Sequence, residues 1–162
     1  MNIRRATRSD AGRIADIWNL YIRDTTVTFT TEEKSSANVT TYIEARQSHG
    51  MTVVVAEDGG QIRGFAAASL FRSGPGYDHT RETTVMLAKG QSGQGTGRAL
   101  MAAVEAQARD DGIAVLVAGI SGDNHAAIAF HEKLGFRQVG RMPGVGRKFD
   151  RWLDLVLMQK TL

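Results

Sequence analysis

The chain has 162 residues, 42% of them hydrophobic, no cysteine, and a net charge of +3 from 20 basic and 17 acidic side chains. That length suits one domain with a real core, residues 1–162, and the missing cysteines exclude a disulfide, a thiolate metal site and a cysteine nucleophile. No apolar run approaches the roughly 18 residues of a membrane helix, and no five like charges stand together, so a mixed solvated surface with a local anion pocket is expected in place of a nucleic-acid track.

The elements alternate along the chain. "NIRRAT" reads as a short first strand, after which Ser9 or Asp10 can cap a helix whose Ile14, Ile17, Trp18, Tyr21 and Ile22 share one face. A second helix follows Ser35 and Ser36, with Val39, Tyr42, Ile43 and Arg46 on one side. Strands at 52–56 and 62–71 flank "EDGG", a hairpin turn in which Asp-Gly supplies positive φ. "SGPGYDH" is loop. "ETTVMLA" is a strand leading into "KGQSGQGTGRAL" and a helix marked by Leu100, Ala103, Val104, Gln107 and Ala108. "IAVLVAGI" is an apolar strand covered on both faces, Asn124 can cap a helix ending at Gly135, and "RWLDLVLMQ" is the last strand. The order β-α-α-β-β-β-α-β-α-β-β predicts an α/β fold, a mixed sheet with helices on both faces.

The glycine loop carries the strongest chemical signal. Gly93, Gly95 and Gly97 clear side chains from backbone N–H groups that lead into a helix N-terminus, with Arg98 in its first turn, an arrangement suited to phosphate or pyrophosphate. Close packing of the helix on the strand accounts for the same glycines. A Walker loop fails, because Arg98 and Ala99 follow Gly97 in place of Lys and Ser or Thr. A dinucleotide fingerprint fits poorly, since the spacing is G-x-G-x-G in mid-chain.

"TTVMLAKGQSGQGTGRAL" followed by "NHAAIAFHEKLGF" resembles the two acyl-CoA segments of the GCN5-related N-acetyltransferase (GNAT) superfamily. The superfamily loop aligns on Ser92, Gly93, Gln94, Gly95, Thr96 and Gly97, with Ser92 where Gln or Arg is usual and Gln91 beside it. "FRSGPGYDHTRETTVML", "VAGISGDNHAAIAFHEKLGF" and "VGRKFDRWLDLVLMQ" resemble the phosphinothricin acetyltransferase subfamily, which acetylates the α-amine of small amino acids and of phosphinothricin, methionine sulfoximine and methionine sulfone. The resemblance implies a GNAT fold, a mostly antiparallel twisted sheet of about six or seven strands, and acetyl-CoA as co-substrate.

The same resemblance implies the roles. Gln91 to Arg98 would hold the pyrophosphate, and Val85, Met86 and Leu87 would pair with the pantetheine arm and offer an N–H to the acetyl carbonyl. Asn124 is an N-cap first and a contact to that arm second. Glu82 would be the general base and His131 would protonate the leaving thiolate; an exposed strand-end carboxylate and a structural histidine are the plainer readings of the two. Substrate contacts are expected from Arg72 and Tyr77, with Phe29 (beside Thr30) and Lys148 (with Trp152) behind them, because carboxylates and phosphinates favour guanidinium and ammonium partners. His49, His79 and His125 show no metal-ligand spacing, so no metal is expected.

The expected partner is a small amino acid-like amine in a cytoplasmic homodimer, without nucleic acid or membrane. Two other readings use the same residues: an acetyltransferase for a protein N-terminus, lysine or polyamine, and a non-catalytic acetyl-CoA sensor. The sensor leaves Glu82 and His131 without a task.

Overall fold

The short alternating start forms β1 (Asn2–Arg5), and the amphipathic stretch after it forms α1 (Ala11–Asp24), in a computed structural model that describes residues 1–162. Neither expected cap serves α1. Asp10 ends a preceding 3-10 turn, and its carboxylate is held by two Arg4 nitrogens at 2.8 Å and by the Thr7 N–H at 2.8 Å. In α2 (Ser36–Ser48) the Ser35 hydroxyl does accept from the Asn38 N–H, as a capping serine should. The hairpin turn at Gly59 and Gly60 joins β2 (Val53–Asp58) to β3 (Gln61–Leu70).

The remaining elements are β4 (Thr80–Leu87), α3 (Thr96–Asp110), β5 (Val115–Ser121), α4 (His125–Lys133), β6 (Arg137–Lys148) and β7 (Arg151–Thr161). All seven strands form one sheet in the order β1-β2-β3-β4-β5-β7-β6. Only β4 and β5 run parallel.

Strand alternation divides the core between the two faces. Val53, Val55, Phe65, Ala67 and Met86 pack with Ile14, Trp18 and Val39 of α1 and α2. Val54, Ala56, Ala66 and Ala68 point the other way and meet Leu100 and Val104 of α3. A third cluster joins Met101, Leu116, Ile120, Phe136 and Val156 beneath α3 and α4.

Two departures from regular sheet structure position the site. Pairing between β4 and β5 covers only Thr80 to Glu82 against Val115 to Val117, after which the strands separate. Strand β4 stays paired to β3 as far as Leu87, and β5 stays paired to β7 as far as Ser121. The β5-facing edge of residues 83–87 is thus left without a strand partner. Strand β5 is buried almost throughout, as its apolar composition predicts, but Gly119 interrupts it with an exposed backbone.

Candidate active site

The separation of β4 from β5 opens a cleft of about 840 Å³. Thr83 to Leu87 form one wall, Ala118 to Ile120 the other, and the N-terminus of α3 closes one end. Gly93 and Gly95 have φ of 78° and 82°, in the left-handed region, and this bends the loop into the helix. The first helical bond of α3 is Ala99 N–H to Gly95 O at 3.0 Å, so the N–H groups of residues 96–98 are left for a ligand. Arg98 and Lys133 add cationic side chains to the lining.

The glycines of this loop do two different jobs. Gly93 and Gly95 supply conformation. Gly97 supplies space, because a Cβ there would stand 3.2 Å from Cζ of Phe130 on α4. Left-handed conformation and close packing thus fall to different glycines of the loop.

Glu82 is the last β4 residue paired to β5; it does not line the cleft itself but stands one residue before the lining starts at Thr83. Its backbone sits opposite Ser69 of β3 and Val117 of β5, and its side chain reaches over Gly119, where a Cβ would be 3.3 Å from Oε1. The carboxylate is half-buried, and that burial raises its pKa above the ordinary 4.5. No ion pair or hydrogen bond works against the shift. The result is a carboxylate that is a stronger base than an exposed one and is not committed to another protein group.

His131 lines the same cleft from α4 and is 5% exposed. Its Nδ1 donates to the Ala127 carbonyl at 2.8 Å, which fixes the neutral tautomer with the lone pair on Nε2. Phe130 and Phe136 meet the ring edge-to-face at 5.2 and 5.1 Å. Burial, partly offset by the Ala127 bond, lowers the imidazole pKa below 6.5. In the resting state His131 therefore carries no proton on Nε2 to give away.

The other expected residues divide. Val85, Met86, Leu87, Ser92, Gly93, Gly95, Gly97, Arg98 and Asn124 all line the cleft. Asn124 also caps α4, its Oδ1 accepting from the Ala127 N–H at 3.1 Å. Gln91, Gln94 and Thr96 do not line it: Gln94 Nε2 donates to Gly90 O, and Thr96 is buried at the start of α3.

None of the four expected substrate residues lines the cleft. Arg72 and Tyr77 flank Phe71 in the β3–β4 loop, with the guanidinium 5.3 Å and the Tyr77 ring 5.9 Å from the Phe71 ring. That loop begins beside Glu82, because Leu70 pairs with Arg81. Lys148 is 3% exposed, and its ammonium donates to the carbonyls of Thr25 at 2.6 Å, Thr28 at 2.9 Å and Tyr21 at 3.4 Å. The Phe29 ring lies against Gly146 of β6. Lys148 is thus committed to backbone carbonyls and Phe29 packs on Gly146, and neither lines the cleft where a substrate contact was expected.

Sequence reasoning missed Trp18, Tyr21, Val27, Thr28 and Gly119 in the lining. The lone glycine in an otherwise apolar strand was the available signal for Gly119, since such a position marks close approach of another group. No group of three or more His, Asp or Glu side chains is gathered as for a metal ion.

Residues 3–157 match the family model described as an acetyltransferase (GNAT) domain. The chain is 38% identical over its whole length to the L-amino acid N-acyltransferase MnaT of Escherichia coli K12, covering 94% of that protein. It is also 38% identical to the L-methionine sulfoximine/L-methionine sulfone acetyltransferase of Salmonella typhimurium LT2, covering 100% of this chain and 95% of that one. An acetyltransferase structure from Salmonella typhimurium, solved with its cofactor acetyl-CoA, superposes with a TM-score of 0.97 at 38% identity over 100% of this chain and 94% of the other. The separated strands, the glycine-lined helix N-terminus and these matches together make the chain a member of the GNAT acetyltransferase family, an enzyme of N-acetyl transfer.

Proposed function

We propose that residues 1–162 act as one N-acetyltransferase domain that moves an acetyl group from acetyl-CoA to the α-amine of a small amino acid or analogue. Methionine sulfone, methionine sulfoximine and phosphinothricin define the acceptor type. The observation that carries this reading is the unpaired, half-buried Glu82 carboxylate at the mouth of the strand separation. The names of the full-length relatives support the acceptor class.

Acetyl-CoA supplies the activated acetyl thioester. The free N–H groups of residues 96–98 with Arg98 suit its pyrophosphate, and the unpaired β4 edge at Val85, Met86 and Leu87 suits its extended arm. An α-ammonium must lose a proton before its nitrogen can attack, and Glu82 takes that proton directly or through one water. The C–N bond then forms as the C–S bond breaks. The second amine proton leaves with the thiolate, and His131 passes it on: its Nε2 accepts first and donates afterwards. Arg72, beside the Glu82 end of the cleft, is the guanidinium for the acceptor's anionic group, with Tyr77 next to it.

The assembly we propose is a homodimer. Val139, Met142, Val145, Phe149 and Trp152 are all exposed on the β6–β7 hairpin, an apolar load suited to a second copy, and sedimentation of the intact chain reads it. No helix is long and apolar enough to cross a membrane. The compartment we propose is the cytoplasm, with whose reducing conditions a cysteine-free chain is compatible.

The test is thiol release from acetyl-CoA across methionine sulfone, methionine sulfoximine, phosphinothricin, the common amino acids, a polyamine and a lysine peptide. Turnover concentrated on the amino acid analogues is expected. Turnover on the polyamine or the peptide alone would overturn the acceptor assignment.

A further inference from the structure

Two side chains that look like substrate contacts in the sequence, Phe29 and Lys148, instead tie one segment to the far edge of the sheet. After α1 the chain has to cross from β4 to β6. Tyr21 Oη donates to Leu87 O of β4 at 2.8 Å, and eight residues later the Phe29 ring rests on Gly146 of β6. The sheet order between those anchors is β4-β5-β7-β6, so the intervening residues pass above β5 and β7. They do so on the α1 face, the face on which Glu82 reaches over Gly119. Val27 and Thr28 line the cleft from this position and Gly119 lines it from below.

Both attachments on β6 are specific. The Lys148 ammonium has no carboxylate partner and is surrounded by carbonyls at the C-terminal end of α1 and in the segment after it, where helix-end oxygens carry partial negative charge. At Gly146 a Cβ would fall within 2.9 Å of three Phe29 ring carbons, so only glycine lets the ring seat there. Two residues apart on one strand, these positions grip the same segment by charge and by shape.

We propose that Gly146 and Lys148 form a latch that fixes the height of the 25–29 segment as the roof of the acceptor end of the cleft, so that they set affinity for the amine without touching it. They are positioning residues. The proposal rests on the acetyl-transfer reading of the cleft, which it extends to acceptor specificity.

The experiment compares the full-length parent with Gly146→Ala, Phe29→Ala, the Gly146→Ala/Phe29→Ala pair and Lys148→Met. Hydrogen exchange of residues 25–30 in the absence of ligand is measured first and is expected to quicken at least tenfold in Gly146→Ala and Lys148→Met. Steady-state kinetics with methionine sulfone follow, with KM for the amine expected to rise about tenfold while the acetyl-CoA Kd stays within twofold. Gly146→Ala should add less than twofold to KM once Phe29 is already Ala, because the clash it creates is then gone. Unchanged exchange in both latch variants would overturn the latch. Quickened exchange with an unchanged amine KM, or an equal loss of acetyl-CoA affinity, would overturn its role in specificity. An inactive parent would count against the acetyl-transfer reading itself, and the exchange rates would still decide the latch.

Discussion

The Glu82 carboxylate occupies space that Gly119 leaves empty on the neighbouring parallel strand: a Cβ at 119 would stand 3.3 Å from Oε1 of Glu82 and 3.5 Å from Cδ1 of Leu155. Strand β5 is buried on either side of this position, so the glycine is a local opening in an otherwise packed strand. It leaves the Glu82 carboxylate its place at the start of the cleft.

Gly119→Ala tests that relationship. The added methyl meets Leu155 on one side and the carboxylate on the other, and the carboxylate is the group able to move. A base displaced by a fraction of an ångström loses much of its effect, so kcat should fall about tenfold with little change in the acetyl-CoA Kd. Unchanged kcat in the folded variant would show that the carboxylate position is not set by Gly119.

Half-burying Glu82 beside the cleft carries a cost in stability whose sign follows from its raised pKa. A carboxyl group with a folded-state pKa above its unfolded value favours the protonated fold, so its contribution is fully present below about pH 4.5 and is lost as pH rises through the folded value. At neutral pH the ionised Glu82 is a penalty. Glu82→Gln should therefore raise Tm at pH 7, with the gain disappearing below about pH 4.5. A lower Tm at pH 7 would mean that the carboxylate makes stabilising contacts.

The proposed anion cradle depends on left-handed backbone at Gly95, which a β-branched residue adopts only under strain of about 1–3 kcal/mol. Gly95→Val should weaken acetyl-CoA binding by tenfold or more, measured calorimetrically. A Cβ at this position would have no neighbour within 4 Å, so the fold itself should survive. Parent-like affinity in the folded variant would remove this loop from the site.

His131 gives a sharper prediction in the structure than in the sequence. With Nδ1–H committed to Ala127 O and burial depressing its pKa, the ring stays neutral at pH 7. The kcat profile of the parent should show no ionisation of His131 between pH 7 and 8, within the range where an unperturbed imidazole with pKa ~6.5 is still completing its titration. His131→Gln should reduce kcat by less than the roughly 100-fold expected for loss of a general base. Loss of 100-fold or more, together with a vanished limb in that range, would make it a true acid.

The element order and the glycine loop leading into α3 were legible because they are local. Alternation, helical periodicity and glycine spacing act over a few residues; Asn124 caps its helix as the sequence predicts, and the second helix starts directly after Ser35. The acceptor end was much less legible because it is assembled from distant segments. Lys148 meets carbonyls more than 100 residues away, at Tyr21, Thr25 and Thr28, and no local pattern announces such a pairing. Asp10 fails as a cap for a local reason, since Arg4 and the Thr7 N–H, only six and three residues away, claim its oxygens. A charged side chain announces its chemistry in the sequence, whereas its partner is set by tertiary structure.

The central claim is that Glu82 deprotonates the α-amine for acetyl transfer. Its most direct test is kcat/KM of the parent and Glu82→Gln with methionine sulfone, from pH 6 to pH 10, in the thiol-release assay. The expected result is a deficit of roughly 100-fold or more near neutrality, shrinking as the amine loses its proton unaided at high pH. Equal rates for the two proteins across the whole range would contradict it.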